Sequence, residues 1–213
     1  MAITAFVNML LGIGFANAVN PAFQDGNTLL APNAQGKMIA HHIVNMTTEI
    51  AIPGTSDKVN VTGTVEQVIA YINATFPDYV WPGVEELNTT ASQATAEDNQ
   101  VFCNVFEQTA YYEASLAIKY MHQLGSHLIK LGDGPSNCAQ VACHQDLLAR
   151  RATIWWCNDD DMSASSSYSY IADLAQKVLD KCVEFAVPYA YVRGQVFDTS
   201  IPWNVIVTYK DHC

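Results

Sequence analysis

Residues 153–161 read TIWWCNDDD, which places three consecutive carboxylates after two tryptophans and a cysteine. Paired carboxylates can serve as general acid and base in glycoside hydrolysis, and clustered ones can ligate calcium. The run lacks the alternating DxDxDG spacing that brings ligand oxygens round one ion, and consecutive acids ahead of a Ser-rich stretch favour a solvated turn. Asp159, Asp160 and Asp161 therefore define an alternative reading, a glycan hydrolase needing a distant acid. The main reading assigns no catalytic residue. If Thr153 to Cys157 is a strand, Trp155 and Trp156 point to opposite faces. One then packs under a helix expected over 168–186, and the other covers the far face or offers a binding surface.

The histidines do not pair. His41 and His42 are neighbours in a β-like run, so they face opposite ways. His122 and His127 are five apart, about 140° around a helix rather than on one face. Neither pair meets the needs of one metal ion, and no metal or cofactor is expected. The motifs GxSxG, GxGxxG, HExxH and the P-loop are absent.

Cysteine usage points to cross-links. Cys103, Cys138, Cys143, Cys157, Cys182 and Cys213 form an even set confined to the second half, with no CxxC and no zinc-finger spacing to a His pair. Three disulfides are expected, and the spacing leaves their pairing open. A nucleophilic Cys–His pair would leave an odd number of cysteines to bridge. The N-terminus, MAITAFVNMLLGIGFANAVNPAF, has an apolar run closing on Ala16-Asn17-Ala18, the pattern of a secretory signal peptide over 1–18. Sequons at Asn45, Asn60, Asn73 and Asn88 are candidate glycosylation positions. No later run is long and apolar enough to span a membrane. With 10 Lys and Arg against 21 Asp and Glu, the net charge of −11 repels phosphate backbones and excludes nucleic acid as a partner. An extracellular protein or glycan remains the expected partner.

The elements that would position these residues follow from periodicity. Thr47 to Ile52 and Val59 to Thr62 are strand-like, and Pro53-Gly54 marks a turn. Val65, Val68, Ile69 and Ile72 recur at helical spacing behind Thr64 as a cap. Phe102 to about Ile129 reads as one long apolar stripe ending near Gly132. After a loop carrying Cys138 and Cys143, ATIWWC is a strand, and Ile171 to Phe185 forms a helix capped by a Ser among 165–167. YVRGQVFDT and WNVIVTYK read as a terminal hairpin. The expected fold is α+β, an antiparallel sheet with helices packed on one face, stabilised by disulfides. Residues 19–99 read as a mixed α/β N-terminal extension carrying the sequons, and 100–213 as the cysteine-rich domain.

The residues NCAQVAC, ATIWWCNDD, YIADLAQKVLDKC and GQVFDTSIPWNVIV with the final Cys resemble a family of fungal small secreted cysteine-rich proteins, over about residues 100–213. More distantly, the helix, Gly-Gln turn, terminal strand and final Cys are similar to the killer-toxin and effector-type α/β sandwiches of fungi. The insertion-like HQDLLARR departs from the pattern. The resemblance implies a secreted effector-like or toxin-like protein acting by binding, and supplies no catalytic residues. A wall-associated structural glycoprotein is a further alternative.

Overall fold

A computed structural model describes residues 24–25, 27–52, 56–81, 99–147, 150–210 and 213. The expected signal peptide over 1–18, the Pro53-Gly54 turn and Asn88 lie outside the described residues.

The first half contributes β1 (Gln24–Asp25), β2 (Thr28–Pro32), β3 (Met38–Ile43), β4 (Thr47–Ala51), β5 (Lys58–Thr62) and helix α1 (Val65–Thr75). β6 (Gln100–Cys103), β7 (Thr109–Ala110), helix α2 (Tyr111–Leu124), β8 (Leu128–Leu131), β9 (Asn137–Gln145) and β10 (Arg151–Asn158) follow. The chain finishes with β11 (Ala164–Ser167), helix α3 (Tyr168–Cys182), β12 (Glu184–Ala186), β13 (Tyr189–Val192), β14 (Gly194–Phe197) and β15 (Trp203–Thr208).

The architecture is mixed α/β with sheet predominating. An eight-stranded sheet runs β1-β2-β3-β9-β10-β15-β14-β6, beside a four-stranded sheet β11-β8-β4-β5 and a three-stranded sheet β12-β13-β7. The pairings are antiparallel, as expected, except at one joint. β3 pairs in parallel with β9 through His42–Asn137 and Ile43–Cys138. That joint places β1, β2 and β3 in the main sheet, while β4 and β5 pair with β8 in the four-stranded sheet. Val65, Val68 and Ile72 of α1 share one core with Met121 of α2 and Ile171 and Val178 of α3.

Local sequence explains most helix boundaries. Gln67 Oε1 accepts from the Thr64 backbone N–H at 2.9 Å, half of a capping box. Ser167 caps α3, its hydroxyl accepting from the Tyr170 N–H at 3.2 Å. The long helix expected from Phe102 to Ile129 is instead β6, β7, α2 and β8 in series. Asn104 adopts φ 63° and breaks the stripe at its start, and Gly125 at φ 53° ends α2. Beyond it, Leu128–Leu131 alternates exposed and buried side chains, the period of a strand rather than a helix. Cys138 and Cys143 both lie within β9 rather than in a loop.

All six cysteines are paired. Cys138 bridges to Cys157 across the directly opposed strands β9 and β10. Cys103–Cys182 ties edge strand β6 to the end of α3, and Cys143–Cys213 ties the C-terminus to β9.

The sheet buries both faces. Ile154, Trp156, Val205 and Val207 join the helix-side core, whereas Trp155, Cys157 and Ile206 join a second cluster with Leu29, Ala31 and Phe106. β2 and β14 stand second and seventh in the strand order, yet Gln195 on β14 donates to Pro32 O at 3.0 Å. The sheet therefore curls until the β2–β3 hairpin covers its own outer face.

Candidate functional site

The two tryptophans do point to opposite faces, and both are 0 % exposed. Trp156 packs in the helix-side core and meets Trp203 edge to face, with ring centroids 5.1 Å apart. Trp155 is covered by the curled hairpin, with Lys210 Nζ 4.7 Å from its ring centroid. Burial pushes the Lys210 pKa down, and its ammonium donates to Gln140 Oε1 at 2.9 Å. The expectation that one tryptophan offers a binding surface is thereby corrected: the curl of the first-half strands takes up the outer face.

The acidic run divides into three fates. Asn158, itself buried, donates to Gly132 O and Met162 O and accepts from the Asp160 N–H, and so shapes the turn. Asp160 Oδ1 accepts from the Met162 N–H at 3.4 Å, and Asp161 is exposed. Asp159 turns inward. Its Oδ1 meets His41 Nε2 at 3.1 Å, and its Oδ2 accepts from Asn204 Nδ2 at 2.7 Å. Asn204 Oδ1 in turn accepts from Gln195 Nε2 at 2.9 Å. His41, Asn204 and Gln195 are fully buried, so a chain of interior polar groups supports one carboxylate. Burying polar groups is costly unless they are hydrogen-bonded, and such networks hold their members in fixed orientation.

Asp159 opens onto a cavity of about 380 Å³ where four connections converge at one end of the large sheet. The β2–β3 turn brings Asn33 and Gln35, the β8–β9 loop brings Ser136, and Trp203 and Asp198 flank the β14–β15 turn. Burial of the Asp198 carboxyl tends to raise its pKa, but hydrogen bonds from the Tyr170 hydroxyl and from Ser200 outweigh it and hold the group below the usual carboxylate range. It is an anion rather than an acid waiting to donate.

A second feature is the β12–β13 hairpin. Phe185 is 81 % exposed, Val187 98 % and Tyr189 53 %, with Tyr112 at the start of α2 62 % exposed. Tyr111, Tyr112, Arg150, Pro188, Tyr189 and Tyr191 line a cavity of about 250 Å³. Arg150 is held there by Asp146 at 2.6 Å and lies 3.6 Å from Glu113, a fully buried carboxylate that also accepts from His144 Nδ1 at 2.9 Å. Sequence reading missed this hairpin because Phe185 continues the apolar spacing of α3. The signal lay in Val187-Pro188, which no helix of that phase can carry.

The remaining predicted residues separate. His41 is buried and His42 exposed, as their alternation in β3 requires. His122 lies 3.8 Å from Asp173, whereas His127 accepts from the Tyr79 hydroxyl at 2.8 Å while bonded to Leu124 O through Nδ1. His41 and the sulfurs of Cys138 and Cys157 lie within 4.8 Å of one another, but those sulfurs are bonded to each other and offer no thiolate. Asn45, Asn60 and Asn73 are exposed, and Asn73 Oδ1 accepts from Trp81 Nε1 at 3.0 Å. Among the described residues no helix is long and apolar enough to cross a membrane. Set against known protein families, characterised proteins and solved structures, the chain matches none of them.

Proposed function

We propose that this is a secreted, disulfide-stabilised protein of effector-like or toxin-like character that acts by binding a partner, with the β12–β13 hairpin as its contact surface. The observation that carries the reading is the exposure of Phe185, Val187 and Tyr189 on one hairpin, with exposed Tyr112 sharing the adjoining cavity with Tyr189. Contiguous exposed apolar surface on a folded protein marks an interaction site, and aromatic residues dominate the energetics of such contacts. The three disulfides and the candidate signal sequence suit an exported protein.

The hydrolase reading loses ground on geometry. Glycoside hydrolysis asks for one carboxyl kept protonated near neutrality beside an ionised one. Asp159, Asp160 and Asp161 do not converge, and Asp198, which shares the cavity with Asp159, has its pKa shifted away from the acid role.

The test is fluorescently labelled protein applied to intact fungal and plant cells, with F185S/V187S alongside wild type and with a glycan panel assayed for reducing ends. Binding should fall at least tenfold in the variant while its Tm stays within a few degrees. Undiminished binding would remove the hairpin from the reading. Release of reducing ends would restore the hydrolase, and binding lost only on deglycosylation would favour a wall glycoprotein.

A further inference from the structure

The cavity at the end of the large sheet shares no lining residue with the hairpin surface. Its two carboxylates come from either side of Trp203. The Asp159 N–H donates to Pro202 O at 2.9 Å, and the Asp198 N–H donates to Trp203 O at 3.0 Å. Asp159 therefore continues the strand on one flank of β15 and Asp198 the strand on the other, with backbones about 10 Å apart by strand spacing. The indole of Trp203 and the ring of Phe197 line the same space.

The donors already spent on these carboxylates are hydroxyl, amide, backbone N–H and imidazole groups: Tyr170 and Ser200 for Asp198, Asn204 and His41 for Asp159. Among the described residues no lysine or arginine lines the cavity. The negative charge there is thus oriented by fixed dipoles and left without a permanent cation. Buried His41, Asn204 and Gln195 do not reach the cavity themselves, and their combined effect is to aim Asp159 into it.

We propose that this pocket is a binding site for an organic cation, an ammonium or guanidinium group that bridges Asp159 and Asp198 against the face of Trp203. Three properties favour that class. An ammonium carries only donors, matching two acceptor-only carboxylates. Aromatic faces attract cations through the ring quadrupole. A net charge of −11 raises the local concentration of cations and repels anions. A neutral sugar would satisfy the acceptors and the indole but leave both charges uncompensated. Calcium would need six to eight oxygens around it and has no use for the indole.

The full disulfide-bonded protein is titrated with N-acetyl-lysine methylamide, its norleucine isostere, free butylamine, trilysine, calcium chloride and N-acetylglucosamine, following the Trp203 indole N–H by NMR. The lysine probe should bind saturably and at least tenfold more tightly than the norleucine isostere. Asp198→Asn, which keeps the Oδ1 acceptor for Ser200 and loses the Oδ2 that accepts from Tyr170, should weaken it about tenfold, and added salt should weaken it further. Butylamine equal to trilysine identifies a free-amine site, and stronger trilysine binding identifies a basic peptide segment. Equal binding of norleucine and lysine probes, a response confined to N-acetylglucosamine or calcium, or full affinity in Asp198→Asn would overturn the assignment. If that variant fails to fold, the lysine-to-norleucine ratio in wild type decides alone.

Discussion

Asn158 donates to Gly132 O and Met162 O and accepts from the Asp160 N–H, so one buried amide ties the acidic turn to the β8–β9 loop. Gly134 completes that joint: a Cβ there would stand 2.1 Å from Asp160 O, a backbone atom that cannot swing away. Gly134→Ala is expected to displace the 158–161 turn and cost about 1–3 kcal/mol, as overpacking does. Asn158→Ala leaves its partners without a donor and should cost a similar amount, about 1–3 kcal/mol. Urea midpoints for both variants check this, and unchanged midpoints would show the turn to be loosely held. Such roles were partly legible in the sequence. Alternation along β10 and β15 places Trp155 opposite Trp156 and puts Asn204 on the face of Ile206. The sequence carries no sign that His41, Asp159, Asn204 and Gln195 meet, because they come from four segments joined by long-range strand pairing. Nor could the acidic run announce that only its first aspartate turns inward, since the deciding group is the asparagine before it.

Element identity was legible where one period ran unopposed and a cap agreed with it. Thr64 with Gln67 and Ser167 opened α1 and α3 as their residue types require. The stripe after Phe102 misled because strand, turn and helix happened to keep apolar residues three or four apart. Gly125 and the positive φ of Asn104 were the breaks that mattered. At β14 the close approach is of another kind: a Cβ on Gly194 would lie 2.8 Å from Phe102 O and 2.9 Å from Cys182 Sγ, so this glycine lets β6, β14 and α3 meet at one bridge. That bridge closes 79 residues and Cys138–Cys157 closes 19. On the loop-entropy view, removing the first by C103A/C182A should cost about 4.5 kcal/mol and removing the second by C138A/C157A about 3 kcal/mol. Denaturant unfolding of the two double variants measures the difference. A larger loss for C138A/C157A would show that packing around the buried cross-strand bridge, beside Trp155, outweighs chain entropy.

For the whole molecule, stability against pH follows from which groups burial keeps neutral. Tyr168, the first residue of α3, is fully buried, its hydroxyl 2.6 Å from Thr48 Oγ1 of the four-stranded sheet. Burial raises its pKa far above the ordinary tyrosine value, and the Thr48 hydrogen bond offsets only part of that. Tyr79 is raised by burial in the same direction. A group whose folded pKa is raised contributes stability in full below its unfolded pKa, here about 10, and loses it as pH climbs through the folded value. Lys210 acts oppositely, because its lowered pKa means that stability recovers as pH rises toward about 10.4. Above that point only the tyrosine effect remains, and the fold should weaken steeply. At the acid end Asp198, held low, gives stability that is lost as pH falls through its folded pKa. Asp173, raised chiefly by burial against the pull of His122 and Lys177, works the other way, so the acid limb should be shallow. Tyr168→Phe separates these effects. At pH 7 it should lose about 1 kcal/mol with the Thr48 hydrogen bond. Above pH 10 its stability should fall with a visibly smaller slope than wild type, so that the two curves converge. Parallel curves through pH 11 would mean that Tyr168 ionises as readily folded as unfolded, and that the core between the four-stranded sheet and α3 admits water.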